Sequence, residues 1–154
     1  MNEHLIDLAK RALVLKNSGK PEEAAVLFES ILKEQPHWEH GYGAFSLAEC
    51  YEEQGSVEKA KAAYENALRE NSTDPILQGG YASFLYLHGE ASLAFDAYLC
   101  LLSIDLAQNN TQGSATTIVA LKELGRRQGL SQEAIDTRIA QVSRGKKCGN
   151  QQHE

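Results

Sequence analysis

The chain has 154 residues, with 15 Lys/Arg against 21 Asp/Glu, a formal net charge of −6 and 42% hydrophobic residues. That is one domain's worth of soluble, globular sequence. The acidic balance argues against nucleic acid, whose phosphates call for clustered Lys/Arg. No run approaches the roughly 18 apolar residues of a membrane span, which excludes membrane insertion.

The start, Met1 to Asp7, lacks the basic residues and apolar run of a signal peptide. Cys50, Cys100 and Cys148 are odd in number and form no CxxC pair, which points to a reducing compartment. A cytoplasmic protein is expected. Its charge is uneven: residues 1–110 carry 8 Lys/Arg against 17 Asp/Glu, and residues 111–154 carry 7 against 4. An acidic body with a mildly basic end favours basic or apolar partners.

A pattern recurs along the chain at intervals of 36 and then 34 residues, marked by Gly19, Gly55 and Gly89. Ala12, Ala48 and Ala82 precede these glycines by seven residues, and Ala24, Ala60 and Ala94 follow them by five. Leu15, Tyr51 and Leu85 stand four before, and Phe28, Tyr64 and Tyr98 nine after. A fixed period of this length predicts stacked helix pairs. The alanines suit the close crossing of two helices, and the glycines a left-handed helix end.

In chain order, a first helix is predicted from Leu5 to Asn17, a turn at Ser18-Gly19-Lys20, and a second helix from Pro21, ending before Pro36. The second pair is predicted at Glu39–Gln54 and Val57–Glu70, with Ser56 as N-cap. The third opens at Asp74-Pro75, runs to about His88, turns at Gly89 and resumes from Ala91 to about Ile104. The period then breaks. Residues 107–113 read as a polar loop, with helices predicted at Ser114–Gln128 and from Ser131, and a tail from Gly145 to Glu154 reads as disordered.

These residues resemble the tetratricopeptide repeat family over about residues 5–106. The matching positions are Ala12, Leu15, Gly19, Ala24, Phe28 and Pro36; then Leu47, Ala48, Tyr51, Gly55, Ala60, Tyr64 and Ala67; then Tyr81, Ala82, Leu85, Gly89, Ala94 and Tyr98. The family's early tryptophan is replaced by Leu8, Ala44 and Gln78, and its closing proline appears only at Pro36. The resemblance implies an all-α, right-handed α-solenoid of antiparallel helix hairpins, with about eight helices. Three repeats (about 5–38, 39–74 and 75–106) would be followed by a degenerate fourth, 107–144. There Ile118, Leu121 and Ala134 fit the pattern, while Lys122, Gly125 and Arg138 fall where small, large and aromatic residues belong. In this capping pair Ile135, Ile139 and Val142 would face inward, and Glu133, Asp136, Arg138 and Gln141 water.

Catalytic chemistry finds little support. His37-x-x-His40 is the one histidine pair near metal-ligand spacing, at a joint beside Trp38, and reads as structural; neither a metal nor another cofactor is expected. Glu22-Glu23 and Glu52-Glu53 resemble solvated helix faces. Cys50 and Cys100 read as buried spacers, and Cys148 as the one reactive thiol. Gly79-Gly80 inside a helix suggest a kink or the close approach of a neighbour or ligand.

Binding is the more informative reading. By resemblance, the first helices of successive pairs line a concave groove. That groove would receive Ile6, Ala9, Leu13, Lys16 and Asn17 from the first repeat and Tyr42, Phe45, Glu49, Glu52 and Glu53 from the second. Ile76, Ser83, Tyr86 and Leu87 would come from the third. Some of these aromatics could instead pack between repeats. Ala9, Leu13, Ser46, Ile76 and Gly80 stand where related grooves grip a C-terminal carboxylate, and none can hold an anion. The acidic tails of heat-shock chaperones are therefore not expected partners.

The first reading is thus an adaptor or chaperone-like module binding an apolar or basic segment of another protein. A specialised form resembles the three-repeat secretion chaperones, though these usually carry a segment ahead of the first repeat. A self-associating scaffold is the alternative, a possible homodimer using an exposed stripe of Leu5, Leu8 and Ala12. An acidic neutralising partner of a basic protein is a third reading.

Overall fold

In the computed structural model, residues 2–145 are described; the predicted tail beyond Gly145 and Cys148 lie outside them. The described residues form eight α-helices and no strand. These are α1 (Glu3–Asn17), α2 (Pro21–Glu34), α3 (Tyr42–Glu53), α4 (Val57–Glu70), α5 (Pro75–Leu87), α6 (Ala91–Ala107), α7 (Thr111–Arg127) and α8 (Gln132–Ser143), with a 3-10 turn over Trp38–Gly41. The chain divides into two compact units, residues 1–72 and 73–154. The first is built from the hairpins α1–α2 and α3–α4, the second from α5–α6 and α7–α8.

The same turn closes every hairpin. Gly19, Gly55, Gly89 and Gly129 all have left-handed φ, between +72° and +86°. The amide of the residue after each glycine donates back to the carbonyl five residues before it, closing the helix end: Lys20 N to Leu15 O at 3.0 Å, Ser56 N to Tyr51 O at 2.8 Å, Glu90 N to Leu85 O at 3.2 Å and Leu130 N to Gly125 O at 3.0 Å. This bond satisfies a carbonyl the helix cannot. Its recurrence at Gly129 shows that the degenerate last pair keeps the repeat's turn while losing its spacing. All six register alanines, from Ala12 to Ala94, have no exposed surface.

Within the first unit Leu5, Phe28, Ile31, Trp38, Leu47 and Cys50 share one core. Within the second, Phe84, Leu85, Phe95, Leu102, Leu121, Leu124 and Ile135 are buried. Gln78, in the place of the consensus tryptophan, is buried and donates from Nε2 to Ala97 O at 3.0 Å, tying α5 to α6.

Four sequence expectations change. The second repeat opens at Tyr42 rather than Glu39, because Glu39, His40 and Gly41 all adopt positive φ (49°, 51° and 99°) and reverse the chain's hand. Ser56 occupies the N-cap of α4, but its side chain makes no capping bond. The polar loop shrinks to Gln108–Asn110: α6 runs on to Ala107, and Asn110 caps α7 by accepting from Gly113 N at 3.0 Å. Asp105, 2% exposed, holds that cap by accepting from Asn110 Nδ2 at 2.9 Å and Thr117 Oγ1 at 3.3 Å. Arg138 lies over the buried Phe95 ring at 4.5 Å and pairs with Asp96 at 2.7 Å, instead of simply meeting water.

Candidate functional site

In the first unit, α1 and α3 form a seam. Successive turns of α1 bring Ile6, Ala9, Lys10 and Leu13 to it, and α3 brings Tyr42, Gly43 and Ser46. Phe28 from α2 and Trp38 from the 3-10 turn complete the lining of a pocket of about 160 Å³, with Glu39 at its edge. The lining is mainly apolar, and Lys10 and Glu39 place one charge of each sign beside it.

The three left-handed residues explain how Trp38 reaches this place. They turn the chain after Pro36 so that the indole lies 4% exposed against the start of α3. Gly43 makes room for it: a Cβ there would stand 3.0 Å from Trp38 Cδ1 and 3.2 Å from Leu32 Cδ2. Leu13, by contrast, is 43% exposed, an apolar side chain left facing water at the pocket.

One turn further along the seam Lys16 Nζ forms an ion pair with Glu49 Oε2, joining α1 to α3. Beyond it, Glu52 Oε2 accepts from Tyr64 OH at 2.8 Å. Burial, reinforced by the Glu52 hydrogen bond and the nearby Glu49 and Glu53 charges, pushes the Tyr64 phenol well above its ordinary range. Cys50 is fully buried, and desolvation pushes its thiol up to about 11, against a lowering influence from Lys16 and raising ones from Glu53 and Glu49. A protonated, buried thiol is not a nucleophile.

Of the residues expected in the groove, Leu13 and Tyr42 line this pocket, together with Ile6 and Ala9. Lys16 and Glu49 close the seam beyond it, and Asn17 and Glu53 are exposed on the adjoining turns. Phe45 packs edge-on between Tyr42 and Tyr64, with centroids at 6.4 and 5.5 Å. It is thus one of the aromatics spent on internal packing.

Residues of the second unit behave separately. Ile76 is 59% exposed on the first turn of α5. Ser83 Oγ lies 3.4 Å from Tyr98 OH. Tyr86 OH donates to Glu123 at 2.6 Å, with the Arg127 guanidinium 5.1 Å over its ring, linking α5 to α7.

Phe28, Trp38 and Gly43 were not expected at a site. Phe28 and Trp38 come from a second helix and a joint, which a groove read only from first helices omits. The unusual glycine at the opening of α3, five residues after a tryptophan, is the signal that points to them. The expected apolar stripe of α1 is also revised. Leu5 and Ala12 are 2% and 0% exposed and belong to the first unit's core, with Leu8 packed against it. A Cβ added at Gly79 would meet only Leu101 Cδ2, at 3.8 Å, an ordinary contact. The His37 ring is occupied by Glu70, Nδ1 to Oε2 2.8 Å.

Antiparallel hairpins in one register, each closed by the same glycine turn, define a helical-repeat protein. Residues 17–84 match the tetratricopeptide repeat family. No curated protein matches the sequence significantly.

Among solved structures, a T3SS complex from Aeromonas hydrophila superposes with a TM-score of 0.74 at 16% identity, covering 85% of this chain and 87% of that one. The Yersinia enterocolitica type III secretion translocator chaperone SycD superposes with a TM-score of 0.73 at 17% identity, covering 84% and 90%. SycD in complex with a peptide of the translocator YopD gives 0.69 at 17%, covering 83% and 97%. At these identities the likeness is one of fold. Among the described residues no helix is long and apolar enough to cross a membrane, and no group of three or more His, Cys, Asp or Glu could hold a metal ion.

Proposed function

We propose that this protein is a non-catalytic adaptor or chaperone-like module that holds a segment of a partner protein along the α1/α3 seam of its first unit. The observation that carries this reading is the pocket lined by Ile6, Ala9, Leu13, Phe28, Trp38 and Tyr42. Its volume of about 160 Å³ suits one leucine- or phenylalanine-sized side chain, and filling it would remove apolar surface, including that of Leu13, from water. The carboxylates of Glu39 and Glu53 beside the seam favour Lys or Arg next to that apolar anchor. Ile76, Ser83 and Tyr86 are proposed as further contacts on the second unit.

The fold shared with SycD, which has been crystallised with a translocator peptide, supports a secretion-chaperone form of this reading. A cytoplasmic location accords with it. Self-association remains the second reading, supported by the dimers described for SycD, although the stripe first expected to mediate it is buried.

The test is capture of partners from the source organism's lysate by wild type and by a Leu13→Asp/Tyr42→Ala variant shown to stay folded. A partner held by wild type and lost by the variant supports the seam. A partner held equally by both moves the site elsewhere, and recovery of only the protein itself favours the scaffold.

A further inference from the structure

The pocket explains what the seam attracts; the ion pair at its end bears on what the seam refuses. Lys16 follows Leu13 by one turn of α1, and Glu49 follows Ser46 by one turn of α3, so the pair closes the same seam that the pocket opens. The Lys16 side chain is 17% exposed and that of Glu49 33%. An ammonium so far withdrawn from water and lacking an internal partner would draw in a carboxylate from an incoming segment. Here Glu49 already holds that position, and Glu52 and Glu53 follow on the next turn of α3.

From this arrangement we infer that Glu49 is a specificity-determining residue, neutralising Lys16 within the chain so that the seam rejects acidic segments and free carboxylates. The inference rests on the seam being the binding site. An incoming carboxylate would have to displace Glu49 from Lys16 and leave an extra negative charge among Glu49, Glu52 and Glu53. A Lys or Arg meets no such obstacle. Discrimination thus comes from a built-in repulsion as well as from attraction.

Two fluorescein-labelled peptides test this, alike in their leucines and differing only in carrying two lysines or two aspartates at the same positions. Fluorescence anisotropy gives the ratio of their affinities for each variant. Wild type should prefer the lysine peptide. Glu49→Gln, which keeps the side chain's shape, should shift the ratio towards aspartate by about fivefold, the scale of one partly exposed charge pair. The shift should vanish in Lys16→Met/Glu49→Gln and stay under about twofold in Glu22→Gln, an equal charge change on the exposed start of α2. Should Glu49→Gln fail to fold, Glu49→Ser reads the same ratio. A shift under twofold in the Glu49 variant, or an equal shift in Glu22→Gln, overturns the inference alone. Binding of neither peptide by any variant overturns the seam reading and the inference with it.

Discussion

Gly125 and Ile135 cross so closely that no side chain fits between α7 and α8 at this point. A Cβ on Gly125 would lie 2.5 Å from Ile135 Cγ1 and 2.6 Å from its Cδ1, and Ile135 is itself fully buried. The clash involves the inner part of a buried, β-branched side chain, which has few rotamers with which to yield. Gly125→Ala is therefore expected to destabilise the protein by about 1–3 kcal/mol, the range for overpacking a filled core. Urea unfolding followed by circular dichroism measures it; an unchanged midpoint would show that α8 can move off α7 at no cost.

Asp74 caps α5, accepting from Ile76 N at 2.8 Å and Leu77 N at 3.1 Å. Asp74→Ala removes both bonds and should cost about 1 kcal/mol. Asp74→Ser, which can still accept, should recover most of that loss. Thermal unfolding of the two variants distinguishes the cap from the charge.

Asp105 has a different role, because it is buried and holds the residue that caps the next helix. Asp105→Ala leaves Asn110 Nδ2 and Thr117 Oγ1 without this acceptor, a loss of about 1–3 kcal/mol. Hydrogen exchange should quicken first in the opening turn of α7. Uniform quickening across the second unit would instead mean that Asp105 supports the core as a whole.

The thiol of Cys50 links stability to alkaline pH. Its pKa rises from 9.0 to about 11 on folding, chiefly through burial. The folded chain therefore keeps a proton that the unfolded chain releases, so this contribution is fully present below pH 9.0 and is lost as pH rises through about 11. Tyr51, raised from 10.0 to about 12 by burial and its bond to Glu29, acts in the same sense over a higher window. The unfolding midpoint should fall across this range, and less steeply in Cys50→Ala. At neutral pH native Cys50 should resist alkylation by iodoacetamide and become reactive only on unfolding.

The repeat was legible because its determinants are local. A turn glycine needs left-handed φ, a crossing alanine needs to be small, and both needs recur in register from Ala12 to Ala94. The start of α3 was less legible because Glu39 and His40 have ordinary helical propensities. Only the joint that seats Trp38 beside Gly43 makes them left-handed. Gly125 read as a departure from the repeat, since its contact with Ile135 depends on a helix ten residues further along the chain. The site divided in the same way. Leu13 and Tyr42 follow from the family resemblance, which assigns first helices to a groove, whereas Phe28 and Trp38 enter the pocket only through tertiary packing.

Site-specific photo-crosslinking in the source organism tests the central claim most directly. A benzoylphenylalanine at Ser46, on the pocket wall, would be compared with one at Val26, 60% exposed on α2. Adducts to a partner protein from position 46 and not from position 26 are the predicted result. Adducts from position 26 alone would contradict the account, placing the partner on a surface away from the α1/α3 seam.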